Sequence, residues 1–220
     1  MIRGHSNPPR TYSHALEKHY YSRSWPIQAQ PFLHLEPYLR CWSDPDKIFR
    51  GKRVLDIGAG ECTYTRLIAE RFAPASVVGC ELFPERMQPA ADVNQRRNLR
   101  FVAGDCFQLP FRDSSLDVVF GSFILHQIPN LDPVVSEIQR VLSKNGRYVG
   151  IEPNPFHPLH LYRYLRGKHS KNQYLLRSKN LDAFRKTGFA VKLRYFYAKL
   201  PWLRGPFLGT CIGIVAERRP

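Results

Sequence analysis

A β-rich run that breaks on two glycines constrains this chain more than any other feature. Arg53–Ile57 reads as a short strand, and Gly58, Ala59, Gly60 and Glu61 follow it directly, ahead of a helical stretch over 63–72. Glycine permits a tight strand-to-helix bend and lets a ligand come close to the backbone. Several nucleotide-binding folds share a G-x-G at that place, so the charged residues around it have to discriminate between them.

The same alternation repeats down the chain. Residues 76–81, 99–103, 116–123 and 147–152 form further short apolar runs, and 63–72, 85–97 and 133–142 carry helical patterns, the last capped by Asp132. Nearly continuous apolar strands separated by helices predict an α/β fold with a parallel sheet buried on both faces. After Glu152 the pattern changes. Stretches 157–167 and 181–186 look helical, while 189–197 and 208–217 look like strands joined through Pro201, Gly205 and Pro206. That pair predicts an antiparallel hairpin at the sheet edge. Upstream, 1–15 reads as a flexible arm and 16–52 as an aromatic-rich helical lid. The core then runs over 53–220, with 153–188 as a basic insertion on the substrate side.

Three acidic positions sharpen the reading of the glycine bend. Asp56 sits just before the glycines, where a pyrophosphate ligand would be repelled and an ammonium group welcomed. Glu81 ends the second strand, placed to accept hydrogen bonds from ribose hydroxyls. Gly104, Asp105, Cys106 and Phe107 follow the third strand; an acid there suits an exocyclic adenine amine, and Phe107 suits the ring. A ligand with ribose, adenine and an amino acid but no phosphate is S-adenosylmethionine. An NAD(P) dehydrogenase is disfavoured by Asp56 and by the missing G-x-G-x-x-G helix start.

With VLDIGAGECTYTRLIAE, VVGCEL, FVAGDCFQLPFRDSSLDVVFGSFILHQIPN and EIQRVLSKNGRYVGIEPN in this order over about 53–154, the chain resembles the class I, Rossmann-like S-adenosylmethionine-dependent methyltransferases. Within them it is most similar to the type 11 small-molecule branch that includes the ubiquinone and menaquinone-biosynthesis methyltransferases. The resemblance implies a Rossmann-like seven-stranded mixed sheet of order 3-2-1-4-5-7-6, its last strand antiparallel, flanked by helices. It implies a methyltransferase with S-adenosyl-L-methionine as cofactor and S-adenosyl-L-homocysteine as product. The expected cofactor contacts are Asp56, Gly58, Ala59, Gly60, Glu81, Leu82, Gly104, Asp105 and Cys106, with Ser122 and Phe123 at the methionine end. Tyr20 and Tyr21 are the N-terminal aromatics expected to close over the cofactor. His126, just past the fourth strand, is the candidate base for the acceptor, because a histidine titrates near neutral pH. The family often has a third glycine where this chain has Cys62.

Charge and cysteine usage bound the partners. The chain of 220 residues carries a net charge of +15. Residues 151–220 hold fourteen Lys and Arg against three Asp and Glu, a local +11. A face of that kind meets phosphate, carboxylate or anionic lipid, or serves only as a solvated surface. The five cysteines form no C-x-x-C pair and lie outside metal-ligand spacing with histidine, which points to reduced thiols in a cytoplasmic setting and to no metal. No apolar stretch is long enough for a membrane-spanning helix. The expected acceptor is a small or lipid-like molecule methylated at oxygen or carbon. Peripheral membrane contact, RNA or protein methylation through the basic third, and non-catalytic cofactor binding as a partner protein stay open as alternatives.

Overall fold

Seven apolar runs assemble into one mixed sheet in a computed structural model that describes residues 36–39, 42, 44–128, 130–154, 156–158, 162, 178–197, 205 and 207–218. The strands are β1 (Arg53–Ile57), β2 (Ser76–Glu81), β3 (Leu99–Ala103), β4 (Leu116–Ser122), β5 (Leu142–Pro153), β6 (Phe189–Phe196) and β7 (Cys211–Arg218). Their order across the sheet is β3-β2-β1-β4-β5-β7-β6. The first five are mutually parallel, and β7 runs antiparallel to both β5 and β6. The strand order reverses at β1, between β2 and β4. In such sheets a crevice opens there, outside the carboxyl ends of the strands.

Helices cover both faces, as a parallel sheet demands. The described ones are α1 (Glu36–Leu39), α2 (Pro45–Phe49), α3 (Thr63–Arg71), α4 (Gln88–Asp92), α5 (Asp132–Val141) and α6 (Ser178–Lys186). One face packs Leu55, Ile57, Val119 and Tyr148 against Val134 and Ile138 of α5 and Phe184 of α6. The opposite face packs Val54, Val118, Phe120 and Val149 against Leu67 and Ile68 of α3 and against Leu39, Trp42 and Phe49. Rings meet edge-on here: Trp42 and Phe49 both contact Phe120 at centroid distances of 6.0 and 6.2 Å. The segment before β1 is therefore tied into the core through its aromatics from Leu39 onward. No helix among the described residues is long and apolar enough to cross a membrane.

Several sequence expectations need correcting. The helix predicted over 85–97 is a 3-10 turn at Pro84–Arg86 followed by the short α4. Pro84 and Pro89 each remove a donor and fit only a first turn. Asn94 then ends the run, its side chain accepting the Arg96 N–H at 2.9 Å and donating to the Leu99 carbonyl at 3.2 Å. Asp132 is the first residue of α5, and Leu131 occupies the cap without a side-chain bond. β5 starts at Leu142, earlier than its apolar run suggested, and β7 starts at Cys211 rather than 208. The arm at 1–15, Tyr20, Tyr21 and most of the helix expected at 157–167 lie outside the described residues.

The connection after β3 is held from α5. Arg140 donates to the carbonyls of Phe111 and Leu109 at 2.8 and 2.9 Å, and pairs with Glu137 and Asp113 at 2.7 Å each. Glu137 in turn accepts the Leu109 N–H at 2.8 Å. Arg140→Ala should lower unfolding stability by about 1.5–3 kcal/mol, since charged hydrogen bonds to two loop carbonyls are lost. Arg185→Ala, which breaks an exposed pair with Asp182, should cost under about 1 kcal/mol. Urea denaturation of both variants checks the contrast.

Candidate functional site

The carboxyl ends of β1, β2, β3 and β4 meet in one place, and backbone hydrogen bonds tie their loops together. The Ala59 N–H reaches the Cys80 carbonyl at 3.1 Å, and the Gly104 N–H reaches the Glu81 carbonyl at 3.0 Å. Gly58 has φ +62°, and a β-carbon built on it would lie 2.2 Å from Ile124 Cδ1. A side chain there would be strained by this φ and would have to displace the Ile124 side chain. Gly60 also lies in the left-handed region, at φ +54°. Its N–H points to the Glu81 carboxylate, and the Arg86 guanidinium crosses its open side while pairing with Glu61 at 2.7 Å.

Cys62, at the position of the missing third glycine, is left-handed too, with φ +57°. That backbone costs a non-glycine residue about 1–2 kcal/mol. The thiol offsets part of it by filling space over Gly79 of β2, where a β-carbon would come within 3.1 Å of Sγ. Burial pushes this thiol up to about 12, so it is not a nucleophile at neutral pH. Cys80 is raised further for the same reason.

The two acids singled out in the sequence face inward. Glu81 is 5% exposed. Its Oε2 accepts the Gly60 N–H at 2.8 Å and its Oε1 the Phe83 N–H at 3.2 Å. Asp56 is 1% exposed. Thr65 Oγ1, from α3, donates to its Oδ2 at 2.6 Å, and Oδ1 is buried without a hydrogen bond from the described residues. Burial pushes this carboxyl up to about 7, and the nearby Glu81 adds to the rise. Asp105 closes a small turn: its Oδ1 accepts the Phe107 N–H at 2.9 Å and its carbonyl the Gln108 N–H at 3.0 Å. Leu82, Gly104, Cys106, Ser122 and Phe123 are half-buried around this edge.

Beyond β4 the chain turns sharply. Phe123 carries φ +55°, a strained value for an aromatic residue. Its N–H is held by the Ile151 carbonyl at 2.8 Å, and its ring meets Tyr38 edge-on at 6.0 Å. A 3-10 turn, Leu125–Gln127, then buries His126. Its Nδ1 lies 2.6 Å from Oε2 of Glu152, the penultimate residue of β5. Glu152 was missed in the sequence reading. The signal was present: an acid ends the apolar run Val149-Gly150-Ile151, the pattern that singled out Asp56 and Glu81. Thr65 was missed as well, since a threonine in a helix carries no spacing signal. Among the described residues no group of three His, Cys, Asp or Glu side chains could hold a metal ion.

The sign of the Asp56 effect on stability follows from its position. The carboxyl ionises near 7 when folded and near 3.8 as a free side chain. Between those values the folded state keeps a proton that the unfolded chain has released, so stability declines across this interval as pH rises. Asp56→Asn should abolish that contribution. The melting temperature of the variant should gain on the native protein between about pH 4 and about pH 8 and hold that lead above. A constant difference across the range would contradict the buried, proton-holding carboxyl.

Comparison with known proteins agrees with this geometry. Residues 55–150 match the family described as Methyltransferase domain. The chain is 31% identical over 105 residues to a fatty-acid O-methyltransferase of Mycolicibacterium smegmatis, covering 48% of this chain and 38% of that protein. It is 32% identical over 106 residues to a demethylmenaquinone methyltransferase of Thermus thermophilus, covering 47% and 48%. The match thus spans half or less of these relatives' lengths. The fold is shared with a SAM-dependent methyltransferase of Aquifex aeolicus at a TM-score of 0.64 and 17% identity, over 86% of this chain and 93% of that one. Residues 55–150 thus match a methyltransferase domain, and the seven-stranded sheet built around them shares its fold with a solved SAM-dependent methyltransferase.

Proposed function

We propose that the chain transfers a methyl group from S-adenosylmethionine to an oxygen or carbon of a small-molecule or lipid-like acceptor. One observation carries the reading: Asp56 and Glu81, two buried carboxylates at neighbouring strand ends, flank a bend made by glycines at positive φ. The buried Oδ1 of Asp56, short of a donor, suits the ammonium of an amino acid. Each Glu81 oxygen takes one backbone N–H and keeps lone pairs for the ribose hydroxyls. Oδ1 of Asp105 serves its own turn, which leaves Oδ2 for an adenine amine. Gly58, Ala59, Gly60, Leu82, Gly104 and Cys106 form the rim of this cradle, and Ser122 and Phe123 its methionine end. Tyr21 would close it from the N-terminal side.

When bound, the cofactor supplies an electrophilic methyl on a positively charged sulfur. The chain's part is to align the acceptor with it, which is worth roughly 7–11 kcal/mol of a barrier of this kind, and to receive a proton. His126 is the residue for the second task, buried beside the carboxyl ends of β4 and β5. The names of the relatives, a fatty-acid and a demethylmenaquinone methyltransferase, favour an apolar acceptor with one acidic group.

Calorimetry with S-adenosylhomocysteine tests the reading. Micromolar binding is expected, weakened by about 1–3 kcal/mol in Glu81→Ala through lost charge-assisted hydrogen bonds. Binding should also tighten as pH rises toward about 7, because the ligand's ammonium favours ionised Asp56. Binding of NADH in place of S-adenosylhomocysteine would reject the proposal. Incubation with labelled S-adenosylmethionine and either oleic acid or demethylmenaquinol then sorts oxygen from carbon acceptors.

A further inference from the structure

Three backbone N–H groups and one ring nitrogen reach Glu152. The N–H groups of Ile124 and Leu125 meet its Oε1 at 3.1 and 2.8 Å. The His126 N–H reaches Oε2 at 3.4 Å, and His126 Nδ1 lies 2.6 Å from the same oxygen. The residue is 0% exposed, so water does not complete the set. A proton on Oε1 would face two N–H groups, and one on Oε2 would need the Nδ1 lone pair of the opposite ring tautomer. Three backbone donors spread over both oxygens favour a carboxylate that only accepts, and such a carboxylate puts the hydrogen on Nδ1. In a neutral imidazole that leaves Nε2 bare. The same carboxylate that caps the 3-10 turn thus also decides which ring nitrogen is basic.

We propose that Glu152 is a positioning residue that locks His126 as the Nδ1–H tautomer, and that this restricts the site to acceptors whose reacting oxygen or carbon gives up a proton. The inference deepens the methyl-transfer reading and rests on it. In the step it serves, the acceptor's bond to hydrogen breaks and the proton passes to Nε2. The electron pair left on the acceptor bonds the methyl carbon, while the pair that held the methyl stays on the cofactor's sulfur. The imidazolium so formed faces the Glu152 carboxylate at 2.6 Å, and the charge it gains is met by a partner already in place. Enols, phenols and quinols supply such a proton; a tertiary amine, a thioether or an already ionised carboxylate does not.

Glu152→Gln separates this role from capping. The amide keeps the shape but turns one acceptor into a donor. Its oxygen should stay on the two N–H groups of Ile124 and Leu125, the shorter pair of backbone contacts. Its NH2 then faces Nδ1, and the ring must switch to the Nε2–H tautomer to accept it. Nitrogen NMR of 15N-histidine-labelled protein, with His126 assigned by its loss in His126→Gln, reads the tautomer directly without any acceptor. The native protein should show Nδ1–H and an unprotonated Nε2, and the variant the reverse. S-adenosylhomocysteine should bind both within about threefold, because the change lies outside the cradle. With demethylmenaquinol kcat should fall about 10²–10⁴-fold, the usual worth of a general base, with KM nearly unchanged.

An Nε2–H tautomer in the native protein overturns the proposal whether or not the variant folds. An unaltered tautomer in a folded Glu152→Gln protein overturns it too. Failure of the native protein to bind S-adenosylhomocysteine would instead sink the methyl-transfer reading and leave the tautomer result standing.

Discussion

A carboxylate at the end of a buried strand has to be compensated by whatever the next loop brings to it. This structure meets that demand at the ends of β2 and β5 and only in part at the end of β1, and the shape of the site follows. Isolated buried charge is costly, while backbone N–H groups offset it at short range. Glu81 draws the Gly60 and Phe83 amides toward the end of β2. Glu152 draws three consecutive amides and an imidazole toward the end of β5. Each acid therefore fixes the path of a loop from a different strand, and the crevice lies between the loops so fixed.

The cost appears in the backbone. Gly58, Gly60, Cys62 and Phe123 all adopt positive φ, and all lie in the two turns that bring amides to the acids or cover them. Two are glycines, which take this region freely. Phe123 and Cys62 are not, and both are held by contacts beyond their own turn: Phe123 by the Ile151 carbonyl and the Tyr38 ring, Cys62 by its thiol over Gly79. Ala73 and Ser114 take positive φ away from these turns, so such strain is not confined to them, but at Cys62 and Phe123 the surroundings over-determine it.

Most of the sheet was legible in the sequence because its strands are buried on both faces and read as apolar runs. The antiparallel hairpin was legible for another reason, the change of pattern after Glu152 and the proline- and glycine-rich turn. The stretch after β2 was not. Its apolar spacing suits a helix, yet two prolines and the Asn94 side chain break it into a turn and a single short helix. At the site, Asp56 and Glu81 were found by their place at strand ends, Asp56 also by the glycines that follow it. Glu152 has no glycine after it, and its role is set by a contact with His126, 26 residues away in the chain. Such pairing across the carboxyl ends of two strands leaves no spacing to read in one strand's sequence.

The three acids differ in how fully the chain itself satisfies them, and that difference divides their work. Glu152 receives three backbone N–H groups besides its contact with the His126 ring, so the chain itself satisfies it. Glu81 is met by two amides and retains capacity for more. Asp56 receives one hydroxyl, from Thr65, and keeps a buried oxygen without a donor. A group in that state prefers its proton, which is why its carboxyl sits near 7. A cationic ligand reverses the preference by bringing the missing charge, whereas an anionic one would deepen it. On the proposed reading, the bend that in other nucleotide-binding folds receives phosphate disfavours it here. The same deficit would select a positively charged nucleoside, and its capture would release the proton that Asp56 holds.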